Sequence, residues 1–283
     1  FEGHLSKFAG AILSPVNADQ AEVAGLLQRV RKDGLNLEMI FDPQLYFPQT
    51  NRGVLKTWSH FPADVDTADL GSAAWWKSTT SSLASVVVAL QADAVCSPAV
   101  VPRVFSRNDY YSTMVDVCDE LSGKLAGIPV LQTVLVGIDD IASPGRAPEI
   151  ASIASRSSSE RVFLVVCTDV EPRRELVDVE GLKGVMTLIR LIEDGGQKVT
   201  VGFSSSDMAL WKAAGATSCA TGKFFNLRRF TRSRFDDPAG GGGQLPYWFE
   251  ESMFAYLRAS DVVRVRNAGR FSDATTRNPP TAA

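Results

Sequence analysis

Two periodicities alternate along the chain. Short apolar runs occur at Ala11-Ile12-Leu13, Leu37 to Phe41, Ala94 to Cys96, Val130 to Val136, Val162 to Cys167, Val199 to Phe203 and Thr217 to Ala220. Each is the length of a strand, and each stops at small polar residues or proline. Between them lie stripes at helical spacing: Val23, Leu26, Leu27 and Val30; then Tyr111, Met114, Val115, Cys118 and Leu121; then Leu182, Val185, Met186, Ile189 and Ile192, with Lys183, Arg190 and Asp194 on the opposite face. Asn17 with Gln20 has the form of a capping pair at the first helix start. Gly34 ends that helix, and Gly127 with Pro129 ends the second.

Strands without polar interruption that alternate with helices predict a parallel sheet covered on both faces. The expected fold is therefore α/β, a (β/α)8 TIM-like barrel that is incomplete or irregular, since seven strands are counted. An eighth would lie upstream of Phe1, between Gly53 and Phe61, or at Val262 to Val265. An open doubly wound parallel sheet is the alternative, although 283 residues fit the usual length of a barrel, about 250.

The barrel is expected over 1–239, with a long loop insertion at 43–79 carrying Tyr46, Phe47, Trp58, Phe61, Trp75 and Trp76. Such a connection is a binding loop, or its aromatics cap the core. Gly240 to Gly243 form a linker within 240–266 and lead to a helix around Tyr247 to Leu257 that packs on the barrel. A disordered tail is expected over 267–283.

Composition narrows the functional classes. Hydrophobic residues make up 45% and charged residues 22%, as in a globular protein, and the net charge of -3 argues against wholesale attraction to nucleic acid or to an anionic membrane. Cys96, Cys118, Cys167 and Cys219 are far apart with no CxxC pair, which suits reduced thiols and a cytoplasmic location. No apolar run reaches the roughly 18 residues of a membrane span, and the start lacks the layout of a signal peptide.

In either fold the chemistry belongs at the carboxyl ends of the strands. Asp42 and Asp169 terminate apolar runs there and are the expected catalytic carboxylates, with Lys223 as a third catalytic group able to pair with phosphate or form a Schiff base. Glu171 and the Asp139-Asp140 pair are further candidates. Ser204, Ser205, Ser206 and Gly222 sit where backbone N-H groups and hydroxyls would hold a phosphate, unless Asp207 caps the helix and takes those donors itself. Gln44 and Trp58 in the long loop are expected substrate contacts. Arg228, Arg229, Arg232 and Arg234, interleaved with Phe224, Phe225, Phe230 and Phe235, read as phosphate or nucleic-acid ligands; the other reading is phenylalanines facing the core with arginines paired to carboxylates.

With only His4 and His60, a histidine-rich metal centre is not expected. No cofactor is expected, although Asp42, Asp169 and a substrate phosphate could together hold Mg2+, a hard cation that takes oxygen ligands. The dinucleotide fingerprint and the P-loop pattern are both missing. These features point to a barrel hydrolase or group transferase acting on a phosphate-bearing substrate such as a nucleotide or nucleic-acid segment. The alternative is a non-catalytic nucleic-acid-binding or assembly subunit. The partners expected are a phosphorylated small molecule or nucleic acid, no membrane, and a protein partner or a second copy of the chain.

Overall fold

The computed structural model describes residues 8–172, 174–222, 227–236, 247–250 and 255–269. Its centre is one sheet of seven strands: β1 (Gly10–Leu13), β2 (Glu38–Phe41), β3 (Ala94–Cys96), β4 (Val130–Gly137), β5 (Arg161–Cys167), β6 (Lys198–Val201) and β7 (Ser218–Cys219). They lie side by side in chain order, and every pair is parallel. A doubly wound sheet would reverse its strand order at a switch point. No reversal occurs, so the topology is that of a barrel.

The helices are α1 (Gln20–Lys32), α2 (Ala73–Leu90), α3 (Asn108–Lys124), α4 (Ile138–Ile141), α5 (Arg146–Ala154), α6 (Val179–Asp194) and α7 (Met208–Ala213). They cover the outer face, where Val134, Val136, Val162, Leu164 and Val166 pack with Val185, Leu188, Ile189 and Ile192 of α6. Alternate residues form a separate inner cluster that includes Ala94, Cys96, Leu131, Leu135, Phe163, Val165 and Cys167. That alternation follows from the two-residue period of a strand. Near the amino-terminal end of this inner face, Arg161 of β5 makes a two-pronged ion pair with Glu38 of β2, one bond being 2.9 Å. Two strands intervene, and only a curled sheet brings those side chains together.

Among the described residues β7 and β1 do not pair, and the curl stays open. Of the places expected to hold an eighth strand, the stretch from Gly53 contains a short 3-10 turn at Leu55–Thr57, and Val262 to Val265 lie in a helix. Residues 1–7 lie outside the described residues. Instead, Phe230 forms an isolated parallel bridge with Cys167 at the top of β5 and is fully buried in the inner cluster.

The long insertion is shorter than the sequence pattern implied. α2 begins at Ala73, where Ser72 accepts a hydrogen bond from the Trp75 N-H at 3.3 Å, so Trp75 and Trp76 occupy a first helical turn. Tyr46, Trp58, Phe61 and Trp76 are buried, which makes these aromatics caps on the core. The first helix starts later than the Asn17-Gln20 pair suggests. Asp19 and Glu22 make the reciprocal capping box, with bonds of 2.9 and 3.0 Å.

In place of the helix expected over 247–257, β8 (Tyr247–Glu250) pairs antiparallel with β9 (Ala255–Arg258), and α8 (Ala259–Asn267) follows; residues 251–254 lie outside the described residues. Aromatic residues on both strands favour the extended form. All four cysteines are free thiols, three of them buried, and among the described residues no helix is long and apolar enough to cross a membrane.

Candidate functional site

The strand exits form three neighbourhoods with different fates. At the exit of β2, Asp42 turns inward and is 2% exposed. Its carboxylate accepts hydrogen bonds from the Gln44 backbone N-H (3.1 Å), the Gln44 side-chain amide and the Tyr46 hydroxyl (3.0 Å). Gln44 adopts a left-handed backbone, φ 56°, to fold back over the acid. Burial pushes the Asp42 pKa up to about 6, against the pull of these donors and of nearby Arg234. Arg234 itself lies over the Phe203 ring (4.7 Å) and reaches Gln44 Oε1 at 3.4 Å; burial lowers its pKa, and Asp42 opposes that.

Phe230 packs beside Tyr46, one of the donors to this acid. Its ring packs on Tyr46 (4.9 Å), Phe203 (5.2 Å) and Phe235 (5.8 Å), while its carbonyl accepts from the Thr168 N-H at 3.2 Å. Thr50 donates to the Phe235 carbonyl and Arg52 to the Asp236 carbonyl, at 2.7 and 3.0 Å. The segment 227–236 is therefore stitched across the mouth from β5 to the loop after β2. Trp58 is elsewhere, packed on Phe41 and donating to the Ala18 carbonyl at 3.0 Å beneath α1.

At the exits of β6 and β7 the groups expected to hold phosphate are engaged with one another. The Ser204 N-H donates to Ala220 O (2.9 Å), the Ser205 N-H to the Asp207 carboxylate (2.8 Å), and the Ser206 hydroxyl to Glu175. Asp207 thus takes a donor that a phosphate would need. Arg229 is 3% exposed and 3.7 Å from Asp207, and its Nε, Nη1 and Nη2 have no hydrogen-bond partner among the described residues. Burial raises the Asp207 pKa and lowers that of Arg229, each opposed by the partner's charge. Arg228 donates to Gly222 O (2.7 Å) and to the Tyr256 hydroxyl, and lies over that ring. Lys223 lies outside the described residues.

The third neighbourhood is a cleft of about 220 Å³ at the exits of β4 and β5, lined by Ser106, Asp139, Asp140, Thr168, Asp169 and Arg232 on an apolar wall that includes Phe105 and Ile138. Among the described residues the Asp139 and Asp169 carboxylates, both exposed, take part in no hydrogen bond or ion pair. Asp140, by contrast, is bound to Arg146 at 2.9 Å. Arg232 is exposed too, bonded to the Pro102 carbonyl at 3.3 Å and placed beside the Cys167 thiol. Cys167 lies at the floor, its thiol pushed up to about 11 by burial.

The cleft wall is held firmly. Arg146 is buried and binds Asp140, Glu149 (2.9 Å), Asn108 and the Phe105 carbonyl (2.7 Å) while lying over the Tyr111 ring. Gly137 leaves room for the Phe105 ring, which a Cβ there would meet at 2.7 Å. A second hollow of about 340 Å³ lies at the other end of the strands, lined by Arg31, Glu38 and Asp93 among others. Its Arg31 is bound to the Gln91 side chain and carbonyl.

Of the residues singled out from sequence, the cleft gathers Asp169, Asp139, Asp140 and Arg232. Asp42 and Gln44 lie under the Phe230 segment; Ser204, Ser205, Ser206, Gly222, Arg228 and Arg229 belong to a separate network. Ser106 and Phe105 were missed because they sit in a loop without any motif. No three His, Cys, Asp or Glu side chains among the described residues converge as metal ligands, and Asp42 and Asp169 do not share a cavity. The residues present therefore do not fit Mg2+ in the way the sequence suggested.

No protein-family model matches the chain, and no curated protein matches it. Solved structures of related shape include "QR15, an Aldolase", 12% identical over 76% of this chain and 90% of that one, TM-score 0.40. An AP endonuclease of family 2 from Brucella melitensis is 15% identical, over 79% and 88%, TM-score 0.39. The carboxyl transferase domain of Rhizobium etli pyruvate carboxylase is 9% identical over 75% of this chain, which spans only 32% of that one, TM-score 0.41. These likenesses are shallow, and the barrel order rests on this chain's own strand topology.

Proposed function

We propose that the protein is a barrel enzyme, a hydrolase or group transferase, that acts on a phosphate-bearing substrate in the cleft at the exits of β4 and β5. One observation carries the reading: Asp169 and Arg232 are exposed in one cleft, Asp169 without a hydrogen-bond or ion-pair partner among the described residues, whereas Asp42, Ser205, Ser206 and Asp207 are engaged with other protein groups. Arg232 would pair with the substrate phosphate, since a guanidinium fork matches phosphate oxygens. Asp169 would take the proton from an attacking water or hydroxyl and return it to the leaving group, the roles that hydrolysis and transfer share. Position at the carboxyl ends of barrel strands supports this, because loops from several strands converge there.

Turnover of a panel of phosphate esters, read by release of phosphate or transfer to an added alcohol, tests the reading. Asp169→Asn is expected to lower kcat by roughly 10²- to 10⁴-fold, and Arg232→Ala to raise KM, with the melting temperature unchanged in both. Full activity in Asp169→Asn would remove the cleft from consideration. The binding-module alternative has less support, because Arg229 is buried, and Arg228 and Arg234 are half-buried and bonded within the protein.

A further inference from the structure

We propose that this cleft selects a monophosphorylated polyhydroxy compound of about monosaccharide size, with its hydroxyls bound by Asp139 as a specificity-determining residue. The inference rests on the preceding reading that the phosphate sits on Arg232.

Three features of the cleft converge on that class. The first is size: about 220 Å³ falls below the roughly 300–1,000 Å³ of clefts that enclose drug-sized ligands. A single sugar-sized unit fills it. The second is hydrogen-bond polarity. Ionised carboxylates only accept hydrogen bonds, and the cleft offers two, at 139 and 169, without partners among the described residues. The dianion of a phosphate monoester supplies no donor to match them and is repelled by their charge. Neighbouring hydroxyls on the phosphorylated molecule would supply the donors and place the phosphate on Arg232, away from the acids.

The third is the wall. Phe105 and Ile138 offer apolar surface, and the Arg146 bond to the Phe105 carbonyl fixes the wall. The C-H face of a polyol ring can lie on it, losing contact with water as it does so. A nucleic-acid strand fits poorly, because each nucleotide brings a further phosphate toward Asp139 and Asp169, and Arg232 is the one exposed arginine of the four in the described part of that segment.

Calorimetric titration of the full chain with inorganic phosphate, ribose 5-phosphate, ribose and a ten-nucleotide single-stranded RNA tests the inference, using wild type, Asp139→Ala, Asp139→Asn and Arg232→Ala. Ribose 5-phosphate is expected to bind about 10- to 100-fold more tightly than inorganic phosphate, the range for hydrogen bonds to a charged group. Asp139→Ala should remove most of that ratio without weakening inorganic phosphate, and Asp139→Asn should keep part of it. Equal affinities in the wild type, an unchanged ratio in Asp139→Ala, or tighter binding of RNA would overturn the proposal. Failure of the underlying reading looks different: neither phosphate ligand binds, or Arg232→Ala leaves both affinities as they were. Asp139 is exposed, so these variants are expected to fold.

Discussion

The cleft at the exits of β4 and β5 and the exits of β6 and β7 are both built from serine, aspartate and an arginine of the same carboxy-terminal segment: Ser106, Asp139, Asp140, Asp169 and Arg232 in the one, Ser204, Ser205, Ser206, Asp207 and Arg229 in the other. At β6 and β7 these groups are drawn inward: Ser205 bonds to Asp207, Ser206 bonds to Glu175, and Asp207 answers the charge of Arg229, whose N-H groups have no hydrogen-bond partner among the described residues. At β4 and β5 the tie that holds the wall is moved behind it, onto Arg146 and Asp140, and Asp139, Asp169 and Arg232 stay open. The difference lies in what surrounds the residues. A buried charge must find a partner within the protein, whereas one at an open cleft keeps water until a ligand displaces it.

The largest test of this contrast is made on the buried side. Asp207→Ala leaves Arg229 uncompensated in the interior and is expected to cost about 3–5 kcal/mol of stability in urea unfolding, while the double change Asp207→Leu with Arg229→Met should restore most of it. Turnover at the cleft should be unaffected in the double variant; a large loss there would tie the two regions together.

Next in size is a pH effect at the mouth, where two buried groups oppose each other. The Asp42 pKa is raised to about 6 from an ordinary 3.8, so the folded state binds the proton more tightly. Asp42 thus contributes stability as pH falls from above 6 to below 4, about 3 kcal/mol in all. His60 is buried beside Trp58 and Phe41 with its pKa lowered to about 4 from 6.5. It stays neutral when folded, and stability is lost by about 3 kcal/mol as pH falls from above 6.5 through 4. In the wild type these two nearly cancel. Asp42→Asn should expose the His60 loss as a fall in melting temperature across this window, and a profile parallel to wild type would show that Asp42 is not held as described.

The smallest effect is expected at the cleft wall. Gly137→Ala puts a methyl at 2.7 Å from the Phe105 ring, and displacing that ring should cost about 1–3 kcal/mol. Ligand affinity at the cleft should fall with it. By comparison, an alanine at Gly25 meets nothing within 4 Å and should leave affinity unchanged.

Much of the scaffold was legible from apolar runs. β3 matches Ala94 to Cys96, and the stripe from Tyr111 to Leu121 is the buried face of α3. Periodicity misled at Trp75 and Trp76, whose size drew attention while Ser72 quietly began a helix, and at 247–257, where aromatic residues suit a strand as well as a helix. The candidate site was only half legible. Asp42 and Asp169 look alike along the chain, each an acid ending an apolar run, yet one is buried and bound by Gln44 and Tyr46 while the other faces the cleft.

The sequence by itself determined the seven central strands, three of the helices between them and that the strands run parallel, because side-chain period and uninterrupted burial are local properties. Only the tertiary structure decided that the strands lie in consecutive order, that Phe230 closes the mouth, and which acids, serines and arginines are answered inside the protein. Those outcomes depend on neighbours far away in the chain, such as Glu38 with Arg161 or Thr50 with Phe235. A charged group's partners and its access to water are set by that distant packing, and no window of sequence contains it.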